Sequence, residues 1–388
     1  MESPKFSMTD RAHAPARGPL ACDLFCQVID NYGDAGFAWR LARALHAERG
    51  WRVRLFIDRP ATLASLVPAL GPGTAGPEAD FDGQSLEGVE VLPWDRALLV
   101  RPAPIVIEAF GCRLPEPYVD RMALESAPPA WINLEYLSAE PWVRECHALP
   151  SPHPRLPLTK YFFFPGFEAG TGGVLIERGL EEQRQAFRAA PTARAETLAA
   201  LGADPHAPFT AFLFCYPEAP LAALAQALPA SPRPSQWLLA PGAAREFARL
   251  APPQARCVAL PFVPQADFDR LLWSVDLALV RGEDSFVRAQ LAAVPFVWQA
   301  YLQAEGAHLA KLEAFARLYE EGLSPPTAAA WRGFSRAWNE GAECTTSWPA
   351  LQSALPELAS HAESWRARLE ALGSLTDALG SFAESRLK

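Results

Sequence analysis

Residues 276–290, Asp-Leu-Ala-Leu-Val-Arg-Gly-Glu-Asp-Ser-Phe-Val-Arg-Ala-Gln, decide how the chain is read. The apolar run 276–280 reads as a short buried strand and Gly282 as a turn. Phe286, Val287 and Leu291 then mark one side of a helix. Asp284 or Ser285 is placed to cap that helix, whose free N–H groups and positive dipole end suit an anion such as a diphosphate. Arg281 adds a planar, permanently charged fork for phosphate oxygens. Glu283 is out of place beside a phosphate unless it accepts hydrogen bonds from a neutral polyol such as ribose. Strand, glycine turn, phosphate cradle and sugar-binding acid together suggest a nucleotide-sugar pocket. Taken alone, the stretch fits an ordinary capped helix with solvated charges better; its place in the chain has to decide.

Around it runs an alternating series. Residues 209–216, 236–240, 257–263, 277–280 and 295–299 read as strands, with helices at 221–228, 243–250, 267–275 and after Asp284. Strands separated by ten-residue helices form a parallel sheet with right-handed crossovers. A similar series opens the chain. Residues 22–29 are a strand, 30–36 (Asp-Asn-Tyr-Gly-Asp-Ala-Gly) the turn, Phe37, Leu41 and Leu45 one helix face, and 51–57 a second strand. Further strands are expected at 89–92, 104–110, 130–137 and 161–164, with glycine- and proline-rich loops such as 71–82 between them. The segment 177–208 reads as helical and charged, carrying the chain between two halves. From Glu305 the pattern is helical, ending in one long helix over 360–387.

The expected fold class is therefore α/β: two Rossmann-like domains facing a central cleft, with a helical C-terminal tail. Residues 1–20 read as a disordered extension, 21–180 as an N-terminal domain completed by the helix 360–388, and 205–355 as a C-terminal domain. Ligands of such sheets bind outside the carboxyl ends of the strands. Residues 30–34 and 281–285 both lie at strand ends, one in each half, and that coincidence raises the ligand-binding reading above the plainer one.

Composition narrows the function. The chain has 388 residues, enough for two domains; half are hydrophobic and 20% charged. A net charge of −9 argues against non-specific binding to nucleic acid or an anionic membrane. No apolar run is long enough to span a bilayer, and the first residues lack a signal-peptide core. Seven scattered cysteines without close pairs imply neither a disulfide framework nor a zinc site, and no metal is expected. A cytoplasmic location follows as the expectation.

Asp30 and Asp34 frame the first turn. Two carboxylates at the mouth of a sheet can share acid/base and positioning work, and mutual repulsion with burial raises one pKa. Equally, Asp30 can stabilise the turn and Asp34 cap the helix; the two accounts are compatible. In the second half, Phe262 offers a flat face for a nucleobase and Gln265 an amide for a pyrimidine edge; the plain alternative is a strand-to-helix turn with Asp267 as cap. Tyr216 carries a hydroxyl suited to phosphate or sugar, and Phe214 packs beside it.

Five stretches then resemble one family: FCQVIDNYGDAGFAWRLARAL, IEAFGCRLPEPY, WINLEYLSAEPW, LPFVPQADFDRLLWSVDLALVRGEDSFVRAQLA and PFVWQAYLQAEGAHLAKLEAF. They are similar to the protein-arginine rhamnosyltransferases of bacterial elongation factor P, the EarP family, from about Cys22 into the C-terminal helices. Departures are the extension of about twenty residues and Ala35, where a bulkier aliphatic residue is expected. The resemblance implies a GT-B fold, an inverting metal-independent mechanism, dTDP-β-L-rhamnose as donor, no cofactor, and an arginine of elongation factor P as acceptor. It implies Asp34 as general base, Asp30 beside it holding the acceptor, and Glu283 as an essential acid binding ribose or fixing the donor. Arg281, Asp284, Ser285 and Tyr216 match diphosphate-binding positions, and Phe262 and Gln265 the thymine site, with Phe268 and Phe214 packed around it. The acceptor is expected on the N-terminal half, near Asp30, Asp34, residues 108–112 (Glu108 above all) and Glu135.

Three other readings compete. A GT-B transferase with another donor or protein acceptor differs only through the resemblance. A nicotinamide or flavin oxidoreductase lacks its GxGxxG, and a non-catalytic module would not need Asp34 and Glu283.

Overall fold

A computed structural model describes residues 18–387 except Asn31, 72–80, 232–233 and 304–305. Of the expected disordered extension, residues 1–17 lie outside the described residues, as does most of the loop 71–82.

The N-terminal sheet contains β1 (Ala21–Cys26), β2 (Arg52–Ile57), β3 (Gln84–Leu86), β4 (Val89–Pro93), β5 (Ile105–Ala109), β6 (Ala130–Leu134), β7 (Pro150–Pro152) and β8 (Thr159–Phe163). Its order is β3-β4-β2-β1-β5-β6-β8-β7, parallel except for the two short edge strands β3 and β7. The second sheet holds β9 (Thr210–Leu213), β10 (Ser235–Leu239), β11 (Ala255–Ala259), β12 (Leu277–Arg281) and β13 (Phe296–Gln299), all parallel, in the order β11-β10-β9-β12-β13. Numbered within each half and without the edge strands, the first runs 3-2-1-4-5-6 and the second 3-2-1-4-5, the Rossmann arrangement. Both faces of the central strands are covered, so β5, β6 and β10 are buried at every residue, including the polar Glu108, Asn133, Ser235 and Gln236. In each half the order reverses beside the first strand. That switch point lies between β1 and β5 in one sheet and between β9 and β12 in the other.

Two expected elements are corrected. The strand drawn over 257–263 is Ala255–Ala259, so Phe262 to Pro264 form a loop; Pro261 and Pro264, which lack an N–H, end the ladder there. The single helix drawn over 360–387 is two. Ser347–Leu372 stops at Gly373, whose φ of 91° suits glycine, and Leu375–Arg386 restarts with Ser374 accepting a hydrogen bond from the Thr376 N–H. The break sends the two helices to different cores. Trp348, Leu351, Leu358, Trp365 and Leu369 pack in the C-terminal half, whereas Leu375, Leu379 and Ala383 pack against the N-terminal sheet. The charged segment after Glu177 forms helices Leu180–Ala189 and Ala193–Ala200, whose Leu180 and Leu198 also join the C-terminal core.

The halves meet through buried charge. Arg40, on helix Tyr32–Arg49 of the N-terminal half, is 4% exposed and donates to Glu177 at 2.9 Å; its Nε lies 3.3 Å from Asp284. Arg288, in helix Asp284–Leu291, donates to Asp269 at 2.7 Å and pairs with Glu177. Burial pushes the Glu177 carboxyl up, yet Arg288 and Arg40 outweigh it and hold the group near 2. A carboxyl held below its unfolded value, 4.5, contributes stability that is complete above 4.5 and is lost as pH falls toward 2. Urea unfolding of wild type should therefore show a falling midpoint across that window. Glu177→Gln should start lower at pH 7, because it strips a buried partner from two arginines, and should lose less between pH 5 and 2.5.

Candidate active site

The loops after β1, β9 and β12 converge on the cleft at the two switch points, and each delivers residues singled out in the sequence. Asp34, 3% exposed, sits in the first turn of helix Tyr32–Arg49. Its Oδ2 accepts the backbone N–H groups of Ile29 and Asp30, each at 2.8 Å, so this carboxylate ties the end of the loop after β1 to the helix. Burial raises its pKa; the two N–H bonds oppose that, while Asp30 and Asp58 add repulsion. Asp30 points the other way, across the cleft, where the Tyr216 hydroxyl donates to it at 2.7 Å. Burial raises Asp30 as well, against the Tyr216 bond and Arg281. The same hydroxyl is driven far above its ordinary value, so Tyr216 stays a donor.

On the opposite wall, Gly282 has a φ of 61° and lets β12 turn sharply into the next helix. Neither Asp284 nor Ser285 caps that helix, a correction to the expectation. The cap position is Glu283, without a side-chain cap bond, because Ser285 folds back one turn onto the Arg281 carbonyl and Asp284 turns to Arg40. Nor does Asp267 cap its helix, which begins at Gln265 directly after Pro264. Arg281 lies over the rings of Phe214 and Tyr216, with its guanidinium carbon 4.6 and 4.4 Å from their centroids.

Two connected cavities result. The first, partly open to solvent, is lined by Phe214, Phe262, Gln265, Phe268, Arg281 and Ser285 from one half and by Asp30, Tyr32 and Arg40 from the other. Here Phe262 packs against Tyr32 with ring centroids 5.1 Å apart, and Phe268 meets Phe212 edge-on. Gln265 donates to the Gly36 carbonyl at 2.9 Å, leaving its Oε1 buried without a partner among the described residues. Because a carbonyl can only accept, that bond fixes which way the amide faces. The second cavity is lined by Asp34, Asp30, Glu283, Tyr136, Tyr301 and Lys311, among others. Glu283 accepts the Leu137 N–H at 2.8 Å, and burial lifts its pKa to about 7.

Glu108 and Glu135 line neither cavity. Glu108 is 2% exposed on β5 and is paired with Lys160 of β8 at 2.9 Å; Glu135 accepts from Asn133 at 2.6 Å. Several contributors escaped the sequence reading. Tyr136 stacks on Phe110, whose φ of 59° is strained for a non-glycine residue. Gln299 accepts the Tyr216 N–H at 2.8 Å, and Lys311 lies within reach of Glu283. An arginine inside the apolar run FAWRLARAL was the one visible signal for Arg40; the others look like ordinary core or surface residues.

Comparison with known proteins is consistent along the whole chain. Residues 22–384 match the family described as Elongation-Factor P (EF-P) rhamnosyltransferase EarP. A Pseudomonas putida protein named protein-arginine rhamnosyltransferase is 44% identical over 394 residues, spanning 94% of this chain and 99% of that one. A solved structure described as the structural basis for EarP-mediated arginine glycosylation of translation elongation factor EF-P aligns with a TM-score of 0.64 at 31% identity, covering 95% of this chain and 100% of the other. The spinosyn rhamnosyltransferase SpnG aligns over 94% of this chain and all of its own, with a TM-score of 0.53 and 12% identity, a likeness of fold alone. The α/β architecture is GT-B, with a helical C-terminal region, as the sequence led us to expect.

The turn at Gly282 supplies a test of the site's geometry. A Cβ there would lie 2.7 Å from Asp30 Oδ2 and 3.1 Å from the Tyr216 hydroxyl, in a conformation costing L-residues roughly 1–2 kcal/mol. Gly282→Ala should lower the calorimetric melting temperature by about 2–4 °C. Tyr216→Phe, which deletes one hydrogen bond and leaves the backbone alone, should cost less, about 1 kcal/mol.

Proposed function

The chain belongs to the EarP family of protein-arginine rhamnosyltransferases, and on that premise we propose that it moves L-rhamnose from dTDP-β-L-rhamnose to an arginine side chain of elongation factor P, with inversion at the anomeric carbon. The observation that carries this reading is the meeting of two sets of groups across one cleft: Asp30 and Asp34 from the first half, and Tyr216, Arg281 and Glu283 from the second.

The first cavity suits a thymidine diphosphate. Phe262 and Tyr32 offer aromatic faces to the base. Gln265, its amide oriented by Gly36, turns its unpartnered oxygen to the N3–H of a thymine or uracil, an interaction cytosine cannot make. Arg281 and the N–H groups opening helix Asp284–Leu291 receive the diphosphate. The sugar then extends toward the second cavity, between Glu283 and Asp34.

A guanidinium is a poor nucleophile because its electrons are delocalised and its charge persists. The Asp34 carboxylate holds it and accepts its proton as a nitrogen of the arginine attacks the anomeric carbon. The C–O bond to the nucleotide breaks with its electron pair passing to the β-phosphate oxygen, where Arg281 and the helix N-terminus stabilise the growing charge without recourse to a metal. Burial that raises Asp34 also makes it a stronger base. Asp30, fixed by Tyr216, is placed to hold the incoming cation. Glu108 and Glu135 are set back from the reacting centre; the part in docking the acceptor protein is proposed for half-buried Glu135, whereas Glu108 is buried against Lys160. No helix among the described residues is long and apolar enough to cross a membrane. The acceptor, a translation factor, assigns the reaction to the cytoplasm.

Intact mass of elongation factor P, incubated with this protein and dTDP-L-rhamnose, should rise by one deoxyhexose, and Asp34→Asn should slow the transfer by at least ~100-fold. Transfer by both proteins at similar rates would retain the enzyme and reduce Asp34 to positioning. No transfer, with dTDP still raising the melting temperature, would favour a GT-B enzyme with another sugar or acceptor.

A further inference from the structure

Lys311 plays no part in the mechanism above, yet it lines the same cavity as Asp34 and Glu283. It projects from helix Ala307–Tyr319, a separate element from the turn that carries Glu283. Its Nζ lies 3.7 Å from Glu283 Oε1, and both side chains are mostly withdrawn from solvent, at 21% and 22% exposure. The ammonium also lies 5.6 Å from the centroid of the Tyr136 ring. That ring, stacked on Phe110, forms the wall opposite. Lys311 is thus confined between an aromatic face and a carboxylate. The other oxygen of Glu283 accepts the Leu137 N–H from the N-terminal half.

Among the described residues, the other charged groups that act on the Glu283 carboxyl are the acids Asp34 and Asp30. Asp30 and Asp34 face it from the first turn, Asp284 follows it in the chain, and Tyr136 and Tyr216 flank it. His308, one helical turn before Lys311, lies near Gln303, its Nδ1 3.4 Å from that residue's N–H. Among the described residues, Lys311 is the one cation within 4.0 Å of the Glu283 carboxylate. We infer that Lys311 is a positioning residue that keeps Glu283 ionised and fixed while Asp34 and Asp30 repel it, so that Glu283 can act as an acceptor toward the donor sugar or ribose. The inference rests on the rhamnosyl-transfer reading for its catalytic consequence, though the ion pair can be tested without it.

The pair accounts for how Glu283 stays useful at neutral pH. Burial, with Asp34 and Asp30, raises this carboxyl to about 7, and Lys311 and the Leu137 N–H are what hold it down. Without the lysine the value rises further. A rise of about one unit would lower the ionised fraction at pH 7 about fivefold and leave it nearly unchanged at pH 9. The sign is fixed: the loss deepens toward acid and closes toward base.

Two measurements test this. In protein labelled with ¹³C at glutamate carboxyls, the resonance assigned by its absence from Glu283→Gln should titrate at least one pH unit higher in Lys311→Met and in Lys311→Gln than in wild type. In Lys311→Arg it should not move. That readout stands even if wild type transfers nothing to elongation factor P, in which case the reaction and not the ion pair is misassigned. Where transfer occurs, Lys311→Met should be about fivefold slower at pH 7 and within twofold of wild type at pH 9. In a Glu283→Gln background it should add no further pH-dependent loss. An unmoved titration midpoint, or a loss equal at all pH values and additive with Glu283→Gln, would overturn the inference and place Lys311 on the donor by itself.

Discussion

Three carboxylates and two guanidiniums buried where the halves meet govern the rest of the molecule. Glu177 touches both Arg40 and Arg288, Asp269 is held by Arg288, and Asp284 faces Arg40. Taking such charges from water is expensive, and leaving one unpaired costs more still, so the set has little tolerance for partial contact. It therefore favours one alignment of the two halves over a continuum of them. Arg40 lies on the helix that Asp34's turn initiates, and Arg288 lies on the helix that Glu283 introduces. The alignment that satisfies the charges is thus the one that brings the two cleft loops face to face. Gln265, bound to Gly36, repeats the arrangement at the other end of the cleft.

The electrostatics of the cleft follow from what is absent beside the acids as much as from the acids themselves. Asp30, Asp34 and Glu283 all have raised pKa values, with burial as the leading cause in each. Their hydrogen bonds come from a phenol and from backbone N–H groups, not from a bidentate arginine. A carboxylate occupied by a resident guanidinium has nothing to offer an incoming one. Resident arginines are instead placed below the cleft, in the cluster, or in the first cavity over Phe214 and Tyr216, as Arg281 is. A cavity with several partly compensated carboxylates suits a cationic side chain that arrives on another protein.

What the sequence disclosed was whatever repeats locally. Alternating apolar runs and ten-residue helical patterns placed the strands, and glycine with acid at their ends placed Asp30, Asp34 and the Arg281–Ser285 turn. What it concealed depends on distant partners. Arg40 pairs with residues more than a hundred positions away, and nothing near it signals Glu177 or Asp284. The capping roles assigned to Asp284, Ser285 and Asp267 were reasonable from residue type. They failed because Arg40, the Arg281 carbonyl and Pro264 supplied competing geometry. Glu108 and Glu135 lay near strand ends, as site residues do, but register alone does not say which face a side chain serves. Glu108 faces Lys160. The helix break at Gly373 was written in one glycine, inside a run long and amphipathic enough to hide it.

That break has a consequence for how the protein is made. Leu375, Leu379 and Ala383 join the N-terminal core, on a helix packed against helix Tyr32–Arg49 and β6, yet they are separated from β8 by the entire second half. A nascent chain that has emerged as far as Phe163 holds all eight strands of its first sheet with part of one face bare, and it stays so while some two hundred further residues are translated. Contacts of such sequence separation form slowly, and exposed apolar sheet is open to misassociation in the meantime. The first half must therefore wait on the second, and maturation of the N-terminal domain becomes a post-translational event in a chain whose domains look, from their sheets alone, able to fold in turn.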